Sequence, residues 1–473
     1  MKPTPWMGFA IERRSPVPIF EQICQTIRSQ IAAGALAEGT RLPPTRVYAT
    51  ELGVSRSTMV TAYEQLVAEG YLASTPGSGY RVCPVGEIEL KAETRTIETA
   101  AREEEIGPPL PFQAGYPDMR LFPHGQWAKT VARVCRTDPK AMLVGASPFG
   151  SLALRRAVAQ HVSDWRGIEA KAEQILITAG SGDALELCIQ TLIGLGDNIA
   201  LEDPGYLPLR SLVTSLGLSQ LYLAIDEQGA RLPAAGRKAR LVVLTPSHQF
   251  PLGGAMSPGR RLAFTRWAEE QDSWILEDDY DSEFRYAGRP IPAMAGFDKL
   301  RRTIYIGSLS KIFSNSLRLG YLVVPEPLLE AFKTRLRQFG TKASLMPQQA
   351  LAEFIANGDF YRHLRRVRRV YGERRKFLLE RLARDFQAYG SFQDHQAGMQ
   401  IALHLQPRFP DHRVSELARA KGILVRPLSV YCAKPGTRNG LLLGFCAFSE
   451  AEMAPALDGL TEVLADRGGF PSL

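Results

Sequence analysis

The sequence has no apolar run long enough to cross a bilayer. The longest runs, such as residues 441–448, fall well short of the roughly 18 to 20 residues that a membrane-spanning helix needs. Residues 1–10 also lack the apolar core of a secretion signal. We therefore expect a cytoplasmic protein without a membrane partner.

The sequence also has few cysteines and only a modest net charge. The 473 residues include 6 cysteines, none of them in a Cys-x-x-Cys pair, so the sequence indicates neither a disulfide framework nor a metal site. The formal net charge of +8 favours association with a polyanion but does not by itself identify nucleic acid as a partner. With 45% hydrophobic and 22% charged residues the composition is that of a globular protein, and the length predicts two or three domains.

An acidic and proline-rich stretch marks the first domain boundary. The run Glu103-Glu104-Glu105 is followed by Gly107 and by prolines at positions 108, 109 and 111, a composition typical of a solvated linker. We predict a first domain over residues 14–83, a linker over 84–112 and a second domain over 113–473.

The apolar pattern of the first domain predicts three helices and a hairpin. Isoleucines recur at every fourth position of residues 19–31, which predicts a helix that Gly34 ends. A second helix is predicted over Thr45 to Leu52, and a third from its N-cap Ser55 to Gly70. Tyr71 to Val82 fits a β-hairpin. Together these elements predict a winged helix-turn-helix.

This arrangement predicts binding to double-stranded operator DNA. The second helix of a helix-turn-helix pair lies in the major groove, with the residues at its start near the base edges. Short polar side chains and backbone amides near that start hold phosphates, and glycines let the wing approach the sugar-phosphate surface. The predicted DNA-binding residues are Arg46, Ser55, Arg56, Ser57, Thr58, Gly77 and Gly79.

The order of these motifs resembles the N-terminal domain of GntR-type bacterial regulators. The resemblance rests on Leu42-Pro43-Pro44-Thr45-Arg46, Leu52-Gly53-Val54-Ser55-Arg56, Glu69-Gly70-Tyr71 and Gly77-Ser78-Gly79. It implies DNA contacts by Arg46, Arg56 and Thr58, although two such arginines taken singly also fit a merely solvated helical surface. Val60 stands where some members carry a further arginine, so the resemblance does not predict the operator sequence.

The second domain alternates short apolar segments with longer amphipathic ones, which predicts a doubly wound α/β sheet. The predicted strands are Ile175 to Thr178, Asn198 to Leu201, Leu241 to Leu244, Trp274 to Leu276, Thr303 to Ile306 and Gly320 to Val324.

One lysine follows a predicted strand in a setting that suits a phosphorylated aldehyde. Lys311 ends the motif Ser308-Leu309-Ser310-Lys311, and a lysine amine condenses with an aldehyde to form a Schiff base. Ser308, Ser310 and Arg318 supply donors for a phosphate. The combination predicts pyridoxal 5′-phosphate, whereas the lysine motif alone also fits an exposed loop.

Other residues supply the remaining groups that this cofactor needs. Asp278 is the predicted partner of the pyridine nitrogen, with Asp279 as the alternative, and Tyr280 is the predicted donor to the ring oxygen. The amides at Ser181 and Gly182 open a predicted helix and suit a phosphate. Tyr206, in a Pro-Gly-Tyr sequence that also fits a simple turn, is predicted to lie over the ring.

The order and spacing of these motifs resemble fold-type I aminotransferases. Fused behind a GntR-type domain, and with Thr245-Pro246-Ser247-His248-Gln249-Phe250-Pro251 and Glu277-Asp278-Asp279-Tyr280, the whole chain resembles the MocR/GabR-type transcriptional regulators. The resemblance implies a large doubly wound sheet with a small C-terminal α/β subdomain. It also implies a head-to-tail homodimer and the assignment of Lys311 as the Schiff-base lysine.

Two departures from the aminotransferase pattern bear on activity. Phe250 stands where an asparagine usually serves the ring oxygen, so His248 or Gln249 would have to replace it. Leu442 stands where an arginine commonly binds the substrate carboxylate, and Arg426 and Arg438 are the nearest candidates to substitute.

These observations predict that the protein is a transcriptional regulator. It would sense a small amine or amino acid as an external aldimine and change how it binds DNA. The alternatives are an active aminotransferase with an appended DNA-binding domain and a regulator that binds the free vitamer. Because two usual groups are replaced, we expect weak or no transaminase turnover. The basic residues between 361 and 376 fit either a DNA-phosphate surface or a solvated or ion-paired helix.

Overall fold

The computed structural model describes residues 11–13, 15–75, 79–84, 108–138, 147–288 and 290–466. The chain forms two compact units, residues 1–106 and 107–473. No helix in the described part of the chain is both long enough and apolar enough to cross a membrane. Most of the predicted linker lies outside the described residues.

The first unit contains three helices and a hairpin: α1 (Ile19–Ala32), α2 (Thr45–Leu52), α3 (Arg56–Ala68), β1 (Leu72–Thr75) and β2 (Gly79–Val82). The isoleucine stripe of α1 packs on Met59, Tyr63 and Leu66 of α3, all of them buried. Gly53 ends α2 in the left-handed conformation at φ 63°, which costs glycine little. The predicted winged helix-turn-helix is confirmed.

The hairpin of the first unit is antiparallel, with Leu72 opposite Val82 and Thr75 opposite Gly79. Gly79 begins β2 at φ +85°, a conformation that a residue with a side chain rarely adopts. Residues 76–78, which include the predicted contact Gly77, lie outside the described residues.

The second unit is built on an eight-stranded sheet and a four-stranded sheet. Its elements in chain order are α4 (His124–Thr137), α5 (Leu152–Arg166), β3 (Ile175–Thr178), α6 (Ser181–Leu192), β4 (Asn198–Asp203), α7 (Leu207–Ser215), β5 (Ser219–Asp226), β6 (Gly229–Ala230), β7 (Leu241–Leu244), α8 (Pro258–Glu270), β8 (Trp274–Asp279), α9 (Met294–Phe297), β9 (Thr303–Ser308), β10 (Gly320–Val323), α10 (Leu329–Phe339), α11 (Met346–Ala356), α12 (Asp359–Asp385), β11 (Gly390–Phe392), β12 (Gln400–Leu405), α13 (Asp411–Ala420), β13 (Arg426–Pro427), β14 (Gly440–Gly444) and α14 (Glu450–Ala465).

The large sheet has the order β3-β10-β9-β8-β7-β4-β5-β6. The strands from β9 to β5 run parallel, whereas β10 is antiparallel to both of its neighbours and β6 closes the opposite edge. Strands β3, β7, β8 and β9 are buried along their whole length, as expected for a sheet that helices cover on both faces. The predicted α/β class is confirmed.

The small sheet has the order β11-β12-β14-β13 and is antiparallel throughout. It packs with α13 and α14, which is the predicted C-terminal α/β subdomain.

The topology of the large sheet gathers the predicted cofactor residues. Because β3 and the parallel strands point the same way, their carboxyl ends meet at one edge of the sheet, where ligands bind in open α/β folds. The segments that leave this edge carry Ser181, Tyr206, Asp278, Tyr280 and Lys311.

Candidate cofactor site and DNA-binding surface

A cavity of about 300 Å³ lies at the carboxyl edge of the large sheet. Among the residues predicted to bind the cofactor, those that line it are Lys311, Asp278, Tyr280, Tyr206 and Ser181. The structure thus brings together residues that lie up to 130 positions apart in the chain, from 181 to 311.

Lys311 presents its amine to this cavity. Its Nζ donates a hydrogen bond of 2.5 Å to the backbone oxygen of Gly115. Burial lowers the pKa of the Lys311 ammonium, and the nearby carboxylate of Asp281 opposes this shift. A lowered pKa increases the neutral fraction of the amine, which is the form that attacks an aldehyde.

Asp278 has a buried carboxylate oxygen without a partner. Its Oδ1 makes no hydrogen bond to any described residue. Burial, together with the charges of Asp279, Glu202 and Asp281, raises the pKa of Asp278 to about 7. A cationic N–H placed in the cavity would satisfy this oxygen and reverse the shift.

The neighbouring Asp279 is engaged on the other face of the sheet. Successive side chains of a strand point to opposite faces, so Asp278 and Asp279 at the end of β8 diverge. Asp279 accepts a hydrogen bond of 2.6 Å from the hydroxyl of Tyr305 and one of 2.8 Å from Ser282, and it forms an ion pair of 2.7 Å with buried Arg166. This placement favours Asp278 for the pyridine nitrogen over the alternative.

Tyr280 is backed by a histidine and a carboxylate. Its hydroxyl lies 2.9 Å from Nδ1 of His248, which in turn lies 3.0 Å from Oδ2 of Asp281. His248, predicted as a cofactor residue, therefore contacts Tyr280 and is not among the residues that line the cavity. Gln249 is also turned away, because its amide donates to the backbone oxygen of Pro204 at 2.9 Å.

Phe250 forms an aromatic wall of the cavity. Its ring centroid lies 5.8 Å from that of Tyr206, 5.7 Å from Tyr280 and 5.2 Å from Tyr431, each pair nearly perpendicular. Phe250 offers no hydrogen bond to a ring oxygen, whereas Tyr206, Tyr280 and Tyr431 around it each carry a hydroxyl donor.

The predicted phosphate residues divide into two groups. Ser181 lines the cavity at the start of α6, where no side chain caps the helix and the first amides, including that of Gly182, point along its axis. Ser308 is buried at the end of β9, Ser310 is half-buried and Arg318 is exposed, and none of the three is among the cavity residues. Their assignment to the phosphate stays a prediction.

The structure distinguishes between the two candidate replacements for the missing arginine. Leu442 lies in β14 directly opposite Arg426 of β13, and Arg426 lines the cavity. Arg438 donates a hydrogen bond of 3.2 Å to the backbone oxygen of Ile225 and is not a cavity residue. Sequence reasoning missed Gln400 on the same wall, for which a lone glutamine in a strand gives no signal.

The start of α3 presents the predicted DNA-binding residues of the first unit. Ser55 caps the helix by accepting a hydrogen bond of 3.0 Å from the amide of Thr58, and Ser55, Arg56 and Ser57 are exposed. Arg46 is exposed on α2. Each arginine is therefore available to a duplex, as the prediction requires.

Two further arginines lie beside the wing and were not predicted. Arg41 and Arg81 form an isolated β-bridge and are both exposed, and the Arg41 guanidinium lies against Gly79. Their position next to a glycine of the wing makes them candidates for phosphate contacts. The adjacency of Arg41 to the Leu42-Pro43 motif was the available signal.

Most of the basic residues on α12 are engaged within the second unit. Arg374 pairs with buried Asp118 at 2.7 Å, Arg375 pairs with Asp394, and the remaining contacts join Arg362 to Asp359, Arg369 to Glu373 and Lys376 to Glu380. This pattern favours the ion-paired interpretation of the helix over a continuous DNA-phosphate surface.

Family models match both parts of the chain. Residues 19–82 match the model for bacterial regulatory proteins of the gntR family, and residues 117–460 match aminotransferase class I and II. The probable rhizopine catabolism regulatory protein MocR of Rhizobium meliloti is 34% identical, with 98% of this chain and 97% of that protein covered. The chain belongs to the MocR/GabR-type transcriptional regulators.

Other relatives and solved structures agree with this family. The HTH-type pyridoxine biosynthesis transcriptional regulator PdxR of Corynebacterium glutamicum is 32% identical over 97% of this chain and 99% of its own. An archaeal alanine:glyoxylate aminotransferase superposes on 76% of the chain with a TM-score of 0.71 at 25% identity, covering 92% of that structure. This MocR/GabR-type chain is therefore a DNA-binding transcriptional regulator with an aminotransferase-like domain, and its cofactor is pyridoxal 5′-phosphate.

The cavity residues of the regulator fit that cofactor. Unpaired Oδ1 of Asp278 suits a pyridine N–H, Lys311 offers a buried amine, and uncapped α6 suits a phosphate. When bound, pyridoxal 5′-phosphate supplies an aldehyde carbon that primary amines attack.

Proposed function

We propose that the second unit senses a small primary amine or amino acid at the cofactor, and that binding changes how a dimer engages its operator. The protein acts in the cytoplasm, where its DNA lies, as a head-to-tail homodimer. Residues 14–83 bind DNA, residues 113–473 sense the effector, and residues 84–112 form the linker between these two domains.

The observation that carries the proposal is the buried, unpartnered oxygen of Asp278 in a cavity that also holds Lys311. A buried carboxylate without a partner is costly, and it persists where a ligand completes it. Tyr206 on the cavity wall is 37% exposed, so the cavity is open to solvent at this side chain.

Sensing also requires that the effector bind two arrangements of the protein unequally. A ligand with the same affinity for both arrangements shifts no equilibrium, however tightly it binds. The effector must therefore change both the cofactor spectrum and the affinity for DNA, and the affinity for the effector must change reciprocally when DNA is bound.

A paired titration tests the proposal. Operator duplexes selected from a random pool by the purified protein are titrated in a gel shift with and without a panel of amines, amino acids and pyridoxal. We expect the same compound to shift the cofactor absorption band and to change operator affinity by about 5- to 150-fold. Operator affinity that no amine changes but that pyridoxal or its phosphate changes would replace the proposal with vitamer sensing.

An active aminotransferase is the second candidate, because the solved structures that resemble this domain include aminotransferases and the cavity retains Lys311. Against it, Leu442 replaces a group that binds the substrate carboxylate and Phe250 replaces one that serves the cofactor ring oxygen, whereas turnover requires both substrates to be held productively. We expect oxo-acid production to stay well below about 1 per second. Sustained multiple turnover above that rate would favour the enzyme.

Arg56→Ala should weaken specific operator binding by about 10- to 100-fold, because an arginine at the start of a recognition helix can read a guanine edge. Arg266→Ala, which removes an exposed arginine of α8, is the matched control for loss of charge and should bind normally. Gel-shift titrations of specific and random duplexes measure the effect. Equal affinities of Arg56→Ala and the control would remove Arg56 from the predicted contacts.

A further inference from the structure

One wall of the cofactor cavity is contributed by the small antiparallel sheet and carries two hydrogen-bond donors, Gln400 and Arg426. Gln400 is only 7% exposed, and its amide Nε2 has no hydrogen-bond partner among the described residues. A buried donor without an acceptor costs free energy unless a ligand supplies one. This wall therefore has an unused donor that faces a cavity.

The register of the small sheet places both donors on the same face. Ala402 of β12 and Arg426 of β13 each lie opposite Leu442 of the central strand β14, and side chains in such a cross-strand row share one face. Gln400 precedes Ala402 by two residues and therefore points to that face as well. Leu442, which is buried, lies between Ala402 and Arg426 in this row.

Arg426 is the cation that this wall offers to a ligand. Lys311 and Arg426 are the cationic side chains among the residues that line the cavity, and Lys311 is committed to the cofactor. No carboxylate in the described part of the chain forms an ion pair with Arg426. Its guanidinium lies near the phenol of Tyr431, where its charge opposes the rise in the Tyr431 pKa that burial causes, and this neutral neighbour leaves the Arg426 charge uncompensated.

We propose that Arg426 and Gln400 form a subsite for the carboxylate of the effector, so that the effector is an amino acid rather than a simple amine. The inference rests on the proposed sensing function and narrows its ligand class. A guanidinium and an amide on one face can donate to the two oxygens of one carboxylate, and the charged hydrogen bonds are the stronger ones. Leu442 stands where an arginine commonly binds the substrate carboxylate, and Arg426 on the adjacent strand supplies the positive charge instead.

The wild-type protein tests this inference with matched ligands that differ by a carboxylate. The probes are L-alanine with ethylamine, and 4-aminobutyrate with propylamine, titrated against the cofactor absorption band of the full-length protein. We expect at least one acid to reach half-saturation at a concentration at least about tenfold lower than its matched amine, as expected for a charged hydrogen-bonded group.

Two variants then locate the subsite. Arg426→Gln should raise the half-saturation concentration of the acid at least about tenfold, and Gln400→Leu should raise it less, because it removes a neutral donor. Both should leave the matched amine within about twofold, since an amine has no group for this wall. Arg438→Gln is the control, because its guanidinium contacts Ile225 away from the cavity. An unaltered absorption band before titration reports that each variant has folded around its cofactor.

The outcomes separate this inference from the proposed function. A band that shifts equally with acids and amines, or an Arg426→Gln variant that weakens both ligands alike, overturns the carboxylate subsite while sensing stands. A band that no probe shifts, together with operator affinity that no amine or amino acid changes, contradicts the proposed sensing itself. Competition by inorganic phosphate that Arg426→Gln abolishes, with no preference for acids over amines, would identify a phosphate subsite instead and overturn the assignment.

Discussion

Lys311→Ala should abolish covalent retention of pyridoxal 5′-phosphate. In the wild type, borohydride reduction should fix the cofactor on the peptide that contains Lys311, because this amine faces the cavity and burial lowers its pKa. The alanine variant has no amine at this position and should lose both the absorption band and the trapped peptide. Peptide mass spectrometry after reduction measures the fraction labelled, which we expect to fall from nearly complete to background.

Lys342→Ala is the matched control for this experiment. Lys342 is an exposed lysine of the same unit that pairs with Glu186 at 2.7 Å, and its loss should leave the labelling unchanged. Labelled cofactor that persists in Lys311→Ala, at another lysine, would show that Lys311 is not the attachment site.

The sequence predicted the architecture well where the signal was local. The helix over Thr45 to Leu52 and the strands over Ile175 to Thr178 and Leu241 to Leu244 have the predicted ends, because glycine, proline or polar residues bound short apolar segments. Three other strands run two or three residues further than predicted, since backbone pairing with a parallel neighbour continues through Glu202 and Asp203 and through Asp278 and Asp279.

The choice between Asp278 and Asp279 illustrates what the sequence could not decide. Both follow the same apolar strand, and the alternation of side chains only says that they face opposite ways. The deciding contact is with Arg166, more than 100 positions earlier, which fixes Asp279 away from the cavity. Only the tertiary structure supplies such a partner.

The same reasoning applies to the cavity wall that carries Gln400 and Arg426. Arg426 and Arg438 were equivalent candidates in the sequence, because the pairing of a two-residue strand cannot be read from its composition. The register that sets Arg426 beside Leu442 separates them, and it also reveals Gln400, which no motif marked. Register depends on contacts across the whole sheet, so a single strand does not encode it.

Asp278→Asn should stabilise the protein when it lacks the cofactor and destabilise its complex with the cofactor. Without the cofactor, burial and neighbouring carboxylates raise the pKa of Asp278 to about 7, whereas an unfolded aspartate titrates near ~3.9. Between these values the folded state keeps a proton that the unfolded state has released. The free energy of unfolding therefore falls as the pH rises from about 4 to about 7, and the full penalty remains above that range.

Asparagine does not titrate, so the variant lacks this penalty. At pH 8 the cofactor-free variant should exceed the wild type in free energy of unfolding by on the order of 2 to 4 kcal/mol, with the difference vanishing near pH 4. Urea unfolding of both proteins across this range measures the difference between their two pH profiles. With cofactor the order should reverse, since asparagine cannot offer a carboxylate to the pyridine N–H, and cofactor affinity should fall at least about tenfold.

Asp279→Asn separates this effect from the general removal of a buried carboxylate. That change leaves buried Arg166 without its ion-pair partner and should destabilise the protein by about 3 to 5 kcal/mol, both with and without the cofactor. The two adjacent substitutions should therefore have opposite signs in the cofactor-free protein at pH 8. If Asp278→Asn also destabilises the cofactor-free protein at that pH, then Oδ1 of Asp278 has a partner that the cavity does not show, and the cofactor is not needed to complete it. If instead the signs differ as expected, the carboxylate is held in an unfavourable state that binding relieves, and part of the cofactor's affinity comes from that relief.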